Sequence, residues 1–336
     1  MNIADLININ SRIRIRKEAP LPPDAGCVVY WMQRSQRAFS NQALDTAVEC
    51  ANRLSLPLAV VFNLVKNYPG STERHYRFML NGLAETAEAL EKKGAGFFIL
   101  ESDKEAHEAV IRFTLSVKGA LLVCDENPLK TPELWRDNTA GDIPLTFITV
   151  DSDVVVPSSL FEKEEYAART LRRKIKPLIE LYLEDAENTA LLKKWKWGEG
   201  TPDGSIKSCA ERFSEWKDRT GKKFGIIPAG GNAVCLNGGR KEGLSRLKDF
   251  TANRLTDYAE SRNKPEIDGT SRLSPYLHFG QISPAEAAIA AFNAESASES
   301  RDAFIEELIV RRELAVNYVL RHRNYDSFEG FHEWAQ

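Results

Sequence analysis

The sequence predicts an α/β protein in which a parallel-sheet domain precedes an all-helical domain. Short apolar runs rich in β-branched residues alternate with amphipathic helical segments between residues 27 and 150. From residue 238 onward the strand signals vanish and helical signals dominate. A chain of 336 residues, 43% of them hydrophobic and 28% charged, is typical of a globular protein with two domains or one large domain.

The first domain is predicted from five apolar runs. They lie at residues 27–31, 58–62, 96–100, 120–125 and 144–150, with helical spacing at 41–54, 74–94 and 103–117. Strands this apolar, separated by helices, indicate a parallel sheet covered on both faces, as in a Rossmann-like domain. The GxG of this domain, Gly94-Ala95-Gly96, follows a helix and precedes a strand, the reverse of a dinucleotide-binding turn. We therefore interpret it as a helix C-cap, and the fold alone predicts no cofactor.

The remaining elements are predicted from helix signals. Helical patterns lie at residues 243–260 and 301–322, while Ser274 before Pro275 predicts an N-cap with proline at the first helical position. Ser283, Pro284 and Glu286 form a capping-box pattern. The predicted organisation is an N-terminal arm (1–26), a Rossmann-like α/β domain (27–150), an inter-domain connection (151–235) and the first part of a helical domain (236–336). Within the connection, residues 198–204 and 225–232 have a loop-like composition.

Composition excludes several classes of protein. No run approaches the roughly 18 apolar residues of a membrane span, and the N-terminus lacks the apolar region of a secretory signal, so we expect a cytoplasmic protein. Five cysteines without a CxxC pair and five histidines without an HxxxH pair predict neither a disulfide framework nor a metal site. Because the net charge is −3, nucleic-acid binding would need a local basic patch. Candidates are residues 12–17, 169–176 and 193–197 and the arginine pairs near the C-terminus, each more typical of a solvated face.

The stretch GTSRLSPYLHFGQIS, residues 269–283, is the most informative part of the sequence. Hydroxyl groups and free backbone N–H groups at a helix start favour an anion, typically a phosphate. Asp268 and Gly269 would form a turn that lets the backbone approach closely. The alternative interpretation is a capped helix after an ordinary polar loop.

This stretch resembles the flavin-binding segment of the photolyase and cryptochrome family. YLHFGQIS is similar in particular to class II cyclobutane pyrimidine dimer photolyases, and the resemblance covers nearly the whole chain from Val28 on. It includes VVYWMQRSQRA (28–38), RHYRFMLNGL (74–83), VDSDVVVP with EYAARTLRRKI, FIEELIVRREL (304–314) and NYDSFEGFHEWA (324–335). The resemblance implies light-driven DNA repair, in which excited reduced FAD lends one electron to a pyrimidine dimer that has been flipped out of the duplex.

The resemblance also implies roles for individual residues. Glu307 would face the dimer and donate a proton to a thymine carbonyl from a dry pocket, and Arg311 would orient it. The alternative is a surface ion pair of Glu307 with Arg311 at i,i+4 spacing. FAD would be held by Tyr258, Thr270, Ser271, Arg272, Leu273, Ser274 and Arg312, the last facing the flavin or the DNA backbone. Tyr276, His278, Phe279, Trp31 and Trp334 are more typical of packing.

The family pattern leaves several points open. Members continue past residue 336 with the helices that close the flavin cup, so we expect a C-terminally truncated photolyase. Val316 and Val319 replace an acid and a cysteine of the class. UV-damaged DNA is the implied partner, a monomer is expected, and an antenna chromophore is compatible with the family although nothing in residues 27–150 identifies one. Two alternatives are a cryptochrome-like flavin sensor without repair activity and an inactive fragment.

Overall fold

The computed structural model describes residues 7–66, 68–103, 105–184, 188–196, 236–331 and 333–336. Its first part is a six-stranded sheet with the spatial order β1-β6-β5-β2-β3-β4. The strands are β1 (Ile13–Lys17), β2 (Cys27–Met32), β3 (Leu58–Val65), β4 (Gly96–Ser102), β5 (Gly119–Asp125) and β6 (Thr146–Val150). Strands β2 to β6 run parallel and β1 pairs antiparallel with β6. The predicted parallel-sheet fold class is confirmed, and β2, β3 and β5 are buried along their whole length.

Four helices cover this sheet: α1 (Gln42–Leu54), α2 (Glu73–Lys93), α3 (Ala106–Ser116) and α4 (Lys130–Asp142). The Asn41 side chain caps α1 by accepting from the backbone N–H of Leu44 at 3.0 Å. Helix α2 ends at Gly94, whose φ of 85° is the left-handed conformation that glycine adopts at a C-cap. The interpretation of Gly94 as a C-cap is therefore confirmed.

The basic run at residues 12–17 does not form the solvated face that the sequence predicted. Its alternating isoleucines and arginines form β1, the antiparallel edge of the sheet. Arg16, with a side chain only 3% exposed, pairs with Glu126 at 3.0 Å and with Glu133 at 2.9 Å. Arg12 donates to the carbonyls of the segment after β6, so Arg14 is left as the exposed arginine of the three. Two of the three arginines thus serve the fold, and the run is a poor nucleic-acid patch.

Helices form the second part of the chain. They are α5 (Ala168–Tyr182), α6 (Arg240–Asn253), α7 (Tyr258–Ser261), α8 (Ser274–His278), α9 (Pro284–Phe292), α10 (Ser298–Ile305), a π-helical turn (Glu306–Arg311) and α11 (Arg312–Arg321), with 3₁₀ turns at Ser158–Leu160, Phe328–Gly330 and Glu333–Ala335. Helix α8 begins at Ser274 with Leu273 as its N-cap, one residue earlier than predicted. The capping box of Ser283 and Glu286 is confirmed. No helix of the described ranges is long and apolar enough to cross a membrane.

Helix α5 lies within the predicted connection but packs into the helical core. Leu171, Ile175 and Ile179 recur at i+4 spacing and are buried in one cluster with α6, α9 and α10. The loop-like stretches predicted at 198–204 and 225–232 lie outside the described residues. The domain boundaries stay predictions, while the packing shows that residues 168–182 contribute to the helical layer.

One face of α11 holds the segment that leaves the sheet. Glu313 accepts from the backbone N–H groups of Val155 (2.6 Å) and Val156 (3.3 Å). One turn on, Asn317 donates to the Lys163 carbonyl at 3.0 Å, and after another turn Arg321 donates to the Phe161 carbonyl at 2.8 Å. The i, i+4, i+8 spacing places these three side chains along one stripe. Helix α11 therefore fixes the connection between the two layers.

Candidate functional site

The loop between α7 and α8 carries most of the predicted flavin ligands. Thr270 and Ser274 are exposed, and Arg272 lies at φ 53°, an uncommon left-handed conformation for a residue other than glycine. Arg272 is tied back to Asp268 at 2.8 Å, while Arg254 donates to the Thr270 carbonyl at 2.8 Å. The loop is therefore held in shape by one internal ion pair and by a hydrogen bond from Arg254, while the Thr270 and Ser274 side chains are open to a ligand.

Close packing of the loop backbone explains Gly269. A Cβ added there would lie 2.6 Å from the Ser261 Cβ, a separation that real side chains do not reach. Ser261 also donates to the Gly269 carbonyl at 3.4 Å. The glycine thus allows the loop to sit against α7, whereas the sequence analysis expected it to admit a ligand. This contact places Thr270 beside the helix that carries Tyr258 and ends next to Arg262.

Tyr258, Arg262 and Glu307 form a second group next to this loop. The Arg262 guanidinium lies over the Tyr258 ring, 6.0 Å from its centroid, and donates to Glu307 Oε1 at 2.7 Å. Tyr258 packs edge-to-face on Phe250 and Phe304. Burial, together with the negative charge of Glu307, raises the pKa of Tyr258, so its hydroxyl stays protonated. The structure thus brings the predicted flavin ligand Tyr258 and the predicted catalytic Glu307 together through Arg262.

Arg262 is a residue that the sequence analysis missed. It follows Tyr258 by four residues, but in a segment rich in charged residues this spacing carries no distinctive signal. Its Nε atom is buried and has no hydrogen-bond partner within the described residues. An unpaired buried donor is costly, which marks the Arg262 guanidinium as a polar group with one hydrogen bond still to make.

Two interpretations of Arg311 are wrong: it neither forms the alternative ion pair with Glu307 nor orients it, since Glu307 pairs with Arg262. Glu307 and Arg311 both lie on the π-helical turn, where successive turns are closed by i→i+5 hydrogen bonds, so residues five apart lie above each other. Arg311 accordingly faces Glu306 at 3.6 Å, and Glu306 also binds Arg172 at 2.5 Å. The Glu306 pKa is lowered, first by the hydrogen bond from Arg172. The Glu307 side chain is 43% exposed, so the dry pocket expected around it is not formed by the described residues.

Arg312 and Leu273 also differ from expectation. Both terminal nitrogens of Arg312 bind Asp153, one at its carbonyl and one at its carboxylate at 2.5 Å. Arg34 binds the same carboxylate from the sheet side. Arg312 thus serves the junction of the two layers, since a single buried acid holds both arginines. The Leu273 side chain is 1% exposed and packs in the helical core, so only its backbone could meet a ligand.

Of the aromatic residues expected to pack, Tyr276, Phe279 and Trp31 do so, whereas the expectation is wrong for His278 and Trp334, which are exposed. Tyr276 is fully buried, and its ring lies 5.1 Å from that of Phe78 on α2. Phe279 packs on the same Phe78 ring at 5.5 Å. His278 and Phe279 in addition line a cavity of about 460 Å³ between the helical layer and the sheet.

This cavity lies at the carboxyl ends of the parallel strands. It is walled by Trp31 at the end of β2, by Phe62 and Asn63 in β3, and by Trp135 in α4. The strand order reverses between β2 and β5, and α/β sheets bind ligands in the crevice outside such a switch point. Asp125 at the end of β5 shapes the rim, because its carboxylate accepts from the backbone N–H groups of residues 33, 34 and 35 at 2.8–3.0 Å.

Polar atoms of the cavity wall lack partners within the described residues. They are Gln33 Nε2, Gln36 Oε1 and Asn63 Oδ1, and both Gln36 and Asn63 are more than nine-tenths buried. Aromatic walls with a few buried polar atoms are typical of a site for a flat, polar ligand. The sequence carries no local signal for this site, because its residues come from strands and loops far apart in the chain.

Comparisons with known proteins give one family. Residues 28–190 match the family model for DNA photolyase. The deoxyribodipyrimidine photo-lyase of Methanothermobacter thermautotrophicus is 33% identical over 96% of this chain and 68% of its own length. That of Arabidopsis thaliana is 36% identical over 97% and 66%, and that of Potorous tridactylus 33% over 97% and 59%. The chain thus spans about two thirds or less of the length of these curated relatives.

Solved structures show the same fold. The crystal structure of a bacterial class III photolyase from Agrobacterium tumefaciens superposes with a TM-score of 0.69 at 21% identity, covering 89% of this chain and 60% of that one. A cryptochrome from Synechocystis gives 0.66 at 15% identity, covering 91% and 62%. With relatives above 30% identity along almost its entire length, the chain belongs to the photolyase/cryptochrome family.

Proposed function

We propose that this chain acts in light-driven repair of cyclobutane pyrimidine dimers in DNA, as a photolyase of the class II type. The observation that carries the proposal is the contiguous group formed by the Thr270–Ser274 loop, Tyr258, Arg262 and Glu307. It joins exposed hydroxyl groups, a guanidinium with an unpaired buried donor and an acid on one side of the helical layer. The class assignment rests on the YLHFGQIS motif, and the C-terminal truncation stays a prediction.

FAD is the proposed cofactor of this group, and the residues present fit it in part. Thr270, Ser271 and Ser274 would meet the pyrophosphate, and Arg272 would add positive charge. The backbone of Leu273 and the ring of Tyr258 complete the proposed contacts. Arg262 is added to the set because its guanidinium lies between Tyr258 and Glu307. Arg312 is left out because Asp153 holds its guanidinium. When bound, reduced FAD would supply the electron.

Glu307 is proposed to act on the dimer. An exposed carboxylate paired with Arg262 can exchange that partner for the carbonyl of an incoming pyrimidine. With Arg262 displaced, the Glu307 side chain would be placed to donate to the pyrimidine as negative charge develops on the base. Arg311 lies next to this position but is directed at Glu306, so its proposed role is to hold the neighbouring acid.

The surface beside Glu307 is suited to a DNA backbone. Helix α5 buries one face and exposes Arg169, Arg173 and Lys176 on the other. Arg172 of the same helix reaches the π-helical turn through Glu306. The basic run at residues 169–176 is therefore a more plausible DNA contact than residues 12–17. Phosphate contacts of this kind would make binding weaken with salt.

We further propose the 460 Å³ cavity of the sheet layer as the place of an antenna chromophore. The aromatic walls of Trp31 and Trp135 and the unpaired amide atoms of Gln36 and Asn63 fit a planar heterocycle with hydrogen-bonding edges. The cavity is separate from the Thr270–Ser274 loop, so chromophore and FAD would occupy different sites.

The experiment is dimer cleavage by the purified chain, supplied with FAD, reduced, and given a dimer-containing oligonucleotide in blue light and in the dark. We expect light-dependent cleavage that falls at least about tenfold in Glu307→Gln. Glu88→Gln removes the same charge from an exposed position of α2, in the sheet layer, and should leave the rate unchanged. Bound FAD without cleavage would contradict the repair proposal and favour a flavin sensor. Absence of FAD binding would contradict both and favour the inactive fragment.

A further inference from the structure

The second half of the family-like motif, Gly280 and Gln281, contacts the sheet layer. Gly280 has a φ of 62°, and a Cβ there would overlap the carbonyl oxygen of Arg34. The Arg37 guanidinium, fully buried, donates to the Gly280 carbonyl at 3.1 Å. The backbone of Gly280 is thus enclosed by the loop that follows β2, and a larger residue would separate the two layers.

Gln281 bridges the layers with its side chain. Its Oε1 accepts from the backbone N–H of Gly239, just before α6, at 2.7 Å. Its Nε2 donates to the carbonyl of Phe78 in α2 at 3.2 Å. The residue is 1% exposed, and a Cβ at Gly82 would overlap its amide group. One carboxamide therefore joins the sheet layer, the start of α6 and the α8–α9 turn.

The turn is continuous with the loop proposed to hold FAD. The backbone N–H of Gln281 donates to the Tyr276 carbonyl at 2.8 Å, and that of Leu277 to the Leu273 carbonyl at 3.0 Å. Leu273 in turn is the last buried residue of the Thr270–Ser274 loop before α8. Gln281 is thereby connected to the loop through one short helix.

We infer that Gln281 is a positioning residue for the Thr270–Ser274 loop, through its hydrogen bonds to Phe78 and Gly239. This deepens the proposed function, on which its flavin consequence rests. The hydrogen bond from Gln281 to Phe78 joins two of the family-like stretches, 74–83 and 276–283. It gives a structural role to residues of the motif that touch no proposed ligand. A loop that is already held in place by contacts with the sheet layer loses less conformational entropy when it binds a ligand.

The test uses the Gln281→Glu variant, which keeps the shape and the acceptor but sets a carboxylate oxygen against the Phe78 carbonyl. Amide hydrogen exchange of the flavin-free protein is measured first, and FAD binding second. We expect faster exchange at residues 269–277 with unchanged exchange at 119–125 in β5, and FAD binding weakened about tenfold. Asn317→Asp is the matched control, since Asn317 of α11 is also buried, donates to a carbonyl (Lys163, 3.0 Å) and accepts from a backbone N–H (Glu165, 2.7 Å).

A second variant guards against simple misfolding. Gly82→Ala favours helix α2 by roughly 1 kcal/mol, yet its methyl group would displace the Gln281 amide from the opposite side. It should reproduce the faster exchange at residues 269–277. Unchanged exchange there in both variants would overturn the inference, whatever the FAD result. If the parent chain binds no FAD, the proposed function fails while the exchange measurement still decides the role of Gln281.

Discussion

Replacing Glu313 by glutamine should make the stability of the protein less dependent on pH. Glu313 is almost fully buried on α11, and burial raises its pKa from 4.5 to about 8 against the opposing effect of its two backbone N–H partners. In the unfolded chain the group ionises near its ordinary value. Because the folded pKa is the higher one, its contribution to stability is fully present below pH 4.5 and is lost as the pH rises through 8.

The magnitude follows from the size of that shift. At roughly 1.4 kcal/mol per pKa unit, the rise from 4.5 to about 8 sets an upper limit of about 5 kcal/mol. Urea unfolding of the parent and of Glu313→Gln, compared at pH 5, 7 and 9, measures the difference in free energy of unfolding. The pH dependence contributed by titratable groups that both proteins share cancels in this difference. We expect the parent to lose stability relative to the variant between pH 5 and 9, by at least about 1 kcal/mol. A difference that stays constant or moves the other way refutes the reasoning.

Three further predictions concern the junction and the basic surface. Gly280→Ala should destabilise the protein by more than about 1 kcal/mol, since it combines a left-handed φ with overlap on the Arg34 carbonyl; a melting midpoint equal to that of the parent would argue against the close contact. Tyr276→Phe should cost about 1–2 kcal/mol in urea unfolding, because its hydroxyl bonds the Asn237 carbonyl (2.8 Å) and Arg246 (3.1 Å). Arg173→Gln should lower the salt dependence of DNA binding by about one phosphate contact, and an unchanged slope would remove α5 from the DNA surface.

Much of the fold was predictable because burial leaves a strong pattern. The strands from β2 to β6 are nearly continuous apolar runs, and glycine at the end of α2 marks a conformation that few other residues adopt. Strand β1 was missed although its alternation was visible, since the arginines suggested a charged surface rather than buried ion pairs. Helix α4 was missed because its sequence, with a proline near its start and weak amphipathicity, carries little helical signal.

The candidate site was predictable only where local sequence determines it. The motif indicated the Thr270–Ser274 loop, whose role in flavin binding stays a prediction, and the structure joins Tyr258 and Glu307 through Arg262. The pairing of Glu307 was not predictable, because a π-helical turn changes which residues face each other without leaving a mark in the sequence. Arg262 and Gln281 were missed for a related reason. Their partners are far along the chain, and only the packed layers bring them within hydrogen-bonding distance.

The most direct test of the account is a titration of the purified chain with FAD, followed by flavin fluorescence and by the visible spectrum after desalting. We expect a retained flavin band in the parent and binding weakened at least about tenfold in Arg262→Gln, which removes the guanidinium between Tyr258 and Glu307. Arg112→Gln removes an exposed guanidinium from α3 and serves as the control. A parent chain that binds no FAD, or an Arg262→Gln variant that binds it as tightly as the parent, would contradict the assignment of this group as the flavin site.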